Sequence, residues 1–192
     1  MIFTEMKKLI LKIVNGVFSR LTRYVRFILI LLKGSSIKIN GFIDLSESVK
    51  CGVTQGGIVY LSGPIWCHRF VSLQADGGIL RIGKNTSIGP YTMINSFSEI
   101  EIGENCMIAE FVTIRDHDHR FSEPELAMRN QGWSIAPITI GNNVWLGSKV
   151  TITKGCRIGD NVIIGANSVV TKDIPANSMA VGSPAKVIKK IY

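Results

Sequence analysis

From Ile140 onward an aliphatic residue recurs at every sixth position: Ile140, Leu146, Ile152, Ile158, Ile164 and Val170. A second series runs Ile82, Ile88, Ile94 and, after a two-residue slip, Ile102, Ile108, Ile114. Glycine commonly follows the aliphatic residue, as at Gly83, Gly89, Gly103, Gly141, Gly147, Gly159 and Gly165. The fifth position of each hexad is small or aliphatic, as at Thr86, Thr92, Cys106, Val144, Cys156 and Ser168. Earlier, Val53, Val59, Ile65 and Val71 keep the spacing with looser chemistry. A period of six fits neither a helix nor simple strand alternation, but it does fit a short strand plus a turn, repeated. Three such units close a triangular coil, in which each aliphatic residue points inward and stacks on the one eighteen positions later. Successive coils then lie about 4.8 Å apart, as strands do in any sheet. Glycine after the aliphatic residue suits a turn where a Cβ would be penalised. The chain is therefore expected to be an all-β solenoid of roughly seven coils, built from the hexads of 37–114 and 140–182.

The repeat breaks between Ile114 and Ile140, so residues 115–139 are expected to form a loop inserted in the solenoid, a place where function concentrates. Two of the three histidines open it, in Asp116-His117-Asp118-His119. The solenoid itself is expected over 35–185, flanked by a helical segment over 1–34 and a short basic tail over 186–192. In the first of these, Leu9, Ile13, Val17, Leu21, Val25, Ile28 and Leu32 recur at helical intervals, and Lys7, Lys8, Lys12, Arg20, Arg23, Arg26 and Lys33 supply charge. Its longest apolar run, Phe27 to Leu32, is far shorter than the ~20 residues a bilayer span needs, and no small-residue cleavage site marks a signal peptide. A basic amphipathic helix of this kind suits the surface of an anionic membrane. Packing on its own β-domain or on a neighbouring subunit would use the same stripe.

The formal charge of +8 is unevenly placed: +6 over residues 1–34, −3 over 35–139 and +5 over 140–192. An acidic middle without a basic, aromatic-interleaved stripe argues against a nucleic-acid partner. Cys51, Cys67, Cys106 and Cys156 show no Cys-x-x-Cys spacing, so reduced thiols of a cytosolic protein are expected, with Cys106 and Cys156 as core filler.

Three stretches carry a resemblance: Ile140-Gly-Asn-Asn-Val-Trp-Leu-Gly-Ser, Ile164-Gly-Ala-Asn-Ser-Val-Val-Thr-Lys-Asp-Ile-Pro and Val181-Gly-Ser-Pro-Ala-Lys-Val-Ile. They resemble the hexapeptide-repeat acyltransferases, closely over residues 80–190, loosely over 35–80 and not at all over 1–34. Cys106-Met-Ile-Ala-Glu-Phe-Val-Thr-Ile, followed by a histidine-containing loop, is most similar to the maltose and nodulation-factor O-acetyltransferases and to bacterial surface-polysaccharide O-acetyltransferases. The resemblance implies a left-handed parallel β-helix, a rare exception to right-handed crossovers. It also implies a homotrimer with each active site between two subunits, acetyl-CoA as co-substrate, and a sugar acceptor.

Acetyl transfer from a thioester to a hydroxyl needs a general base, and histidine suits that task. In the resembling enzymes the base stands five residues beyond the last strand aliphatic, which from Ile114 is His119; His117 is the runner-up. Asp116, Asp118 or Glu123 could orient the ring, and the spacing does not choose between them. Without a Gly-x-Ser-x-Gly elbow, direct attack in a ternary complex is expected, with a backbone N–H at Gly147 or Ser148 meeting the oxyanion. By resemblance the pantetheine arm passes Ser148 and Ala166, and the phosphates meet Lys172, Lys186 and Lys189. Asn95 and Ser96, beside the two-residue slip, and Trp133 in the loop are expected to line the acceptor pocket. The γ-type carbonic anhydrases share this fold and bind zinc through three histidines, but His68 is distant and His117 and His119 lie two apart in a loop, so no metal is expected. A membrane-leaning helix suits a lipid-linked sugar on the cytoplasmic leaflet, and N-acetylation of a nucleotide-linked amino sugar is the alternative. A non-enzymatic scaffold would not need the histidine loop.

Overall fold

The computed structural model describes residues 36–46 and 48–192, together with Leu21, Thr22, Val25 and Ile28 as single helical positions; the basic segment expected over 1–34 otherwise lies outside the described residues. Among the described residues no helix is long and apolar enough to cross a membrane. The chain is the all-β solenoid expected. Three parallel sheets form the faces of a prism, and each coil contributes one strand to each face. Glu99–Ile102, Met107–Ile108 and Thr113–Arg115 make one coil, and Ile138–Ile140, Trp145–Leu146 and Thr151–Ile152 the next. The first and third sheets hold six strands, so six coils are complete. A seventh begins where Ile174 bridges to Ile158 and Ser178–Val181 joins the second sheet. The basic tail forms a strand over Lys186–Lys190, antiparallel to Ser178–Val181, and so covers the open edge of that sheet.

Every aliphatic residue of the two main series is inside, none more than 3% exposed, and the rows stack in register: Ile82 on Ile102, Ile102 on Ile140, Ile140 on Ile158. The N-terminal coils differ from expectation. The residues that pair with Ile82 and Ile88 are Leu61 and Cys67, and Leu73 pairs with Ile94. Val59 and Ile65 instead pair with Leu80 and Thr86, two residues earlier in their strands, and Val53 is only partly buried. A strand side chain faces inward at every second residue, so each face holds two inward rows, and a six-residue period marks either one.

Coil length also departs from eighteen. Ile140 stacks on Ile158 at that interval, but Ile82 stacks on Ile102, Leu61 on Ile82 and Ile39 on Leu61, intervals of twenty, twenty-one and twenty-two. All the extra residues sit at one edge of the prism, between the third face and the first, at 55–57, 77–78 and 97–98. The inserted loop leaves from that same edge.

The glycines after the aliphatic residues have ordinary negative φ, so the penalty expected for a Cβ there comes from close approach and not from a left-handed backbone. A Cβ on Gly147 would stand 2.7 Å from Ala166 N, and one on Gly83 would stand 2.7 Å from Gly103 C, so these positions let one coil approach the next. The left-handed turns at the edge between the second and third faces fall on Phe70, Tyr91, Phe111, Lys149 and Asn167, and those at the edge between the first and second faces on Asn85, Asn105, Asn143, Asn161 and Asn177, these last with φ between 53° and 59°. Their amides form ladders: Asn143 Nδ2 donates to Asn161 Oδ1 at 2.8 Å, and Asn161 Nδ2 to Asn177 Oδ1 at 2.9 Å. All four cysteines are buried, Cys106 and Cys156 in the small-residue row as expected. Burial pushes the Cys67 thiol up to about 12 and raises Cys106 and Cys156 as well, so none of these three is poised as a thiolate nucleophile.

Candidate active site

The inserted segment is ordered from both ends. His117–His119 pairs antiparallel with Trp133–Ile135, setting His117 opposite Ile135 and His119 opposite Trp133. Beyond this hairpin, Gln131 is buried and organises the loop: its Nε2 donates to Glu123 O and Leu126 O at 2.9 and 2.7 Å, and its Oε1 accepts from Glu123 N at 3.0 Å. Lys154 Nζ meets Asp118 Oδ2 at 2.5 Å and ties the loop to the next coil.

At the base of the hairpin Asp116 is fully buried. A buried carboxylate is costly unless its oxygens are met by donors, and here both are. Phe97 N donates to Oδ1 at 2.8 Å, and Ser98 N and Ser96 Oγ approach Oδ2 at 2.8 and 2.9 Å. His117 Nδ1 lies 3.2 Å from Oδ1. Surrounded by donors, Asp116 is an acceptor, so Nδ1 carries the proton and Nε2 keeps its lone pair. The His117 ring, 6% exposed, stacks on Phe97 with centroids 3.7 Å apart and planes 16° from parallel. Trp133 meets it edge-on at 5.2 Å. His119 is exposed, and its ring lies tilted on the other side of this cluster, 3.9 Å from the Trp133 centroid.

The structure thus brings together His117, His119, Trp133 and Ser96. Ser96, expected to line the acceptor pocket, is fully buried and serves Asp116 instead. Asn95 faces outward between Gln74 and Arg115, and its buried Oδ1 has no hydrogen-bond partner among the described residues. The residues expected around the co-substrate lie elsewhere. Ser148 and Ala166 sit on adjacent coils of the edge between the second and third faces, where Asn167 N donates to Ser148 O at 2.9 Å. Gly147 N donates to Ile164 O at 2.8 Å, which commits it to the ladder and leaves Ser148 as the oxyanion candidate of the two. Ser148 Oγ donates to the Glu110 carboxylate, which holds that group below the usual carboxylate range. Lys172 and Lys186 are exposed near the C-terminal end, on the corner after Val169–Val170 and opposite Val181. Phe97 and Ser98 were not singled out by sequence; their signal was the slip between Ile94 and Ile102. Among the described residues no group of three or more His, Cys, Asp and Glu side chains could hold a metal ion.

A three-sided hexad solenoid with an oriented imidazole on an inserted loop places the chain in the class of parallel β-solenoids. Residues 137–172 match the family model described as bacterial transferase hexapeptide (six repeats). WbbJ of Escherichia coli K12, named for O-acetyl transfer in lipopolysaccharide biosynthesis, is 32% identical over 186 residues, which cover 93% of this chain and 84% of that one. Galactoside O-acetyltransferase of Escherichia coli K12 is 44% identical over 116 residues, 60% of this chain and 56% of that one. A solved galactoside acetyltransferase in complex with coenzyme A superposes with a TM-score of 0.50 at 31% identity, covering 81% of this chain and 64% of that one. The chain thus spans a little over half the length of the galactoside O-acetyltransferase. The chain belongs to the bacterial hexapeptide transferase family, and its prism is the left-handed parallel β-helix implied by resemblance.

Proposed function

We propose that the protein transfers the acetyl group of acetyl-CoA to a sugar hydroxyl, with His117 as general base. The observation that carries this reading is the buried Asp116–His117 pair, which fixes the ring and leaves Nε2 as the lone-pair nitrogen. The acceptor oxygen attacks the thioester carbonyl carbon while Nε2 takes its proton. The tetrahedral oxyanion, met by the Ser148 N–H, then collapses, and the departing thiolate takes the proton back from the imidazolium. No residue is acylated. The resemblance favours His119, whose ring is solvent-exposed; with Trp133 and Asn95 it is better suited to the acceptor side. Lys172 and Lys186 suit the phosphates of the co-substrate.

The Ser148 edge and the His117 edge are separated by the width of the third face, about 15 Å at the rise of a strand. One chain therefore holds two half-sites, and a homotrimer would bring the His117 edge of one copy against the Ser148 edge of another. The outward row of the second face supports this. It reads Asp44, Trp66, Ser87, Met107, Trp145, Ile163 and Met179, apolar at five of its seven positions, whereas the first face reads Lys38, Tyr60, Arg81, Glu101, Thr139 and Arg157. Trp66, Met107 and Trp145 are 40–54% exposed in the single chain, a patch suited to a subunit contact.

The names of WbbJ and the galactoside enzyme support O-acetylation of a sugar. We place this activity in bacterial surface-polysaccharide biosynthesis, in the cytoplasm, with a lipid-linked acceptor reached through peripheral contact of residues 1–34 with the membrane. Thiol release from acetyl-CoA, measured across free, nucleotide-linked and lipid-linked sugars and amino sugars, tests the reading. His117→Ala should lower turnover by about 10²–10⁴-fold, the usual contribution of a general base, and His119→Ala by far less. Full turnover in His117→Ala, or acetylation of amino sugars alone, overturns it.

A further inference from the structure

We infer that the enlarged corner Ser96-Phe97-Ser98 is a positioning device for the base, an inference that rests on His117 being that base. Between Ile94 and Ile102 the chain spends eight residues where a regular hexad spends six. The corner so formed carries two consecutive N–H groups, Phe97 and Ser98, aimed at Asp116 on the following coil. Ser96 Oγ lies within reach of both Asp116 Oδ2 and Ile79 O, at 2.9 and 3.0 Å, and its single proton goes to the carboxylate, the stronger acceptor. Each carboxylate oxygen thus faces two donors, one of which is His117 Nδ1. The carboxylate cannot rotate without breaking bonds to backbone, so it holds the imidazole in one orientation and one tautomer. The same corner supplies the Phe97 ring that covers one face of His117.

The corner is itself braced. On the coil before it, a Cβ at Gly78 would stand 2.6 Å from Ser96 Oγ and 2.7 Å from both Phe97 C and Ser98 N, so glycine there lets the corner settle onto its neighbour. Three residues therefore set the position, tautomer and shielding of the base. Ser96 and Phe97 are positioning residues: they act through Asp116 and His117, not on the substrate.

The test is a double-mutant cycle on the full chain with acetyl-CoA and the best acceptor found. Ser96→Ala and Phe97→Leu should each lower kcat by on the order of ten- to a hundredfold, the scale of a misplaced catalytic group, with KM for acetyl-CoA unchanged. Phe97→Tyr should restore turnover because it keeps the stacked ring. In a His117→Ala background neither substitution should lower the residual rate further, because its target is gone. Equal losses in the two backgrounds, or wild-type kcat in both single variants while His117→Ala is inactive, overturn the positioning role alone. Full activity in His117→Ala overturns the proposed function first. Thermal melting of each variant accompanies the kinetics, and Phe97→Leu carries the test if Ser96→Ala does not fold.

Discussion

Replacing Gly147 by alanine tests why glycine recurs after the inward aliphatic residue. The new Cβ would lie 2.7 Å from Ala166 N and 3.0 Å from both Ala166 Cα and Ile164 O, all backbone atoms of the next coil. None of these can swing aside, so the coils must part by several tenths of an ångström, stretching the 2.8 Å bond from Gly147 N to Ile164 O. Overpacking of this kind costs about 1–3 kcal/mol. Against it stands a gain of about 0.4–1 kcal/mol from the stiffer unfolded chain. A net loss of about 1–2 kcal/mol should lower Tm by about 2–8 °C for a chain of this size. Gly52→Ala is the matched control: its φ is also ordinary, and the nearest atom to a Cβ is Gln74 Cγ at 3.8 Å. Only the unfolded-state gain applies there, so its Tm should hold or rise slightly. Urea and thermal unfolding of the two variants beside wild type decide the matter. Equal stability of both, or a larger loss at Gly52, would refute coil approach as the reason for the repeat's glycine.

Two further outcomes follow from burial and from the faces of the prism. The unfolded Cys67 thiol ionises near 9.0, whereas the folded one keeps its proton to about 12. In that window the folded state binds more protons, so the contribution of Cys67 is constant below pH 9 and stability should fall as pH rises above it. The urea midpoint measured from pH 8 to 11 should show this decline, less steep in Cys67→Ala, and an unchanged slope in that variant would refute the assignment to Cys67. Trp145→Glu places a charge between Met107 and Ile163 in the outward row of the second face, where Trp145 is 47% exposed in the single chain. Native mass spectrometry should find wild type as a trimer and this variant largely dissociated; a variant trimer as robust as wild type would remove the second face from the interface.

The six-residue period determined the architecture, because an inward aliphatic row at fixed spacing is a statement about side chains, and side chains are what sequence records. It located the loop by the break in that row, and the histidines within it. It could not separate His117 from His119, since residues two apart on a strand share a face; their difference is that His117 lies against Phe97 at the prism edge while His119 extends past it onto Trp133. Nor could it choose among Asp116, Asp118 and Glu123. The partners that select Asp116 include the backbone N–H groups of Phe97 and Ser98, almost a full coil earlier in the chain, and every residue but proline carries such a group. The slip between Ile94 and Ile102 was visible, but its purpose depends on what the next coil sets above it. Which strand row faces inward in the first coils, and which edges of the prism bear His117 and Ser148, were likewise decided by stacking. Contacts between coils are made across some twenty residues of chain, so local spacing names the rows and only the closed winding says which of them meet.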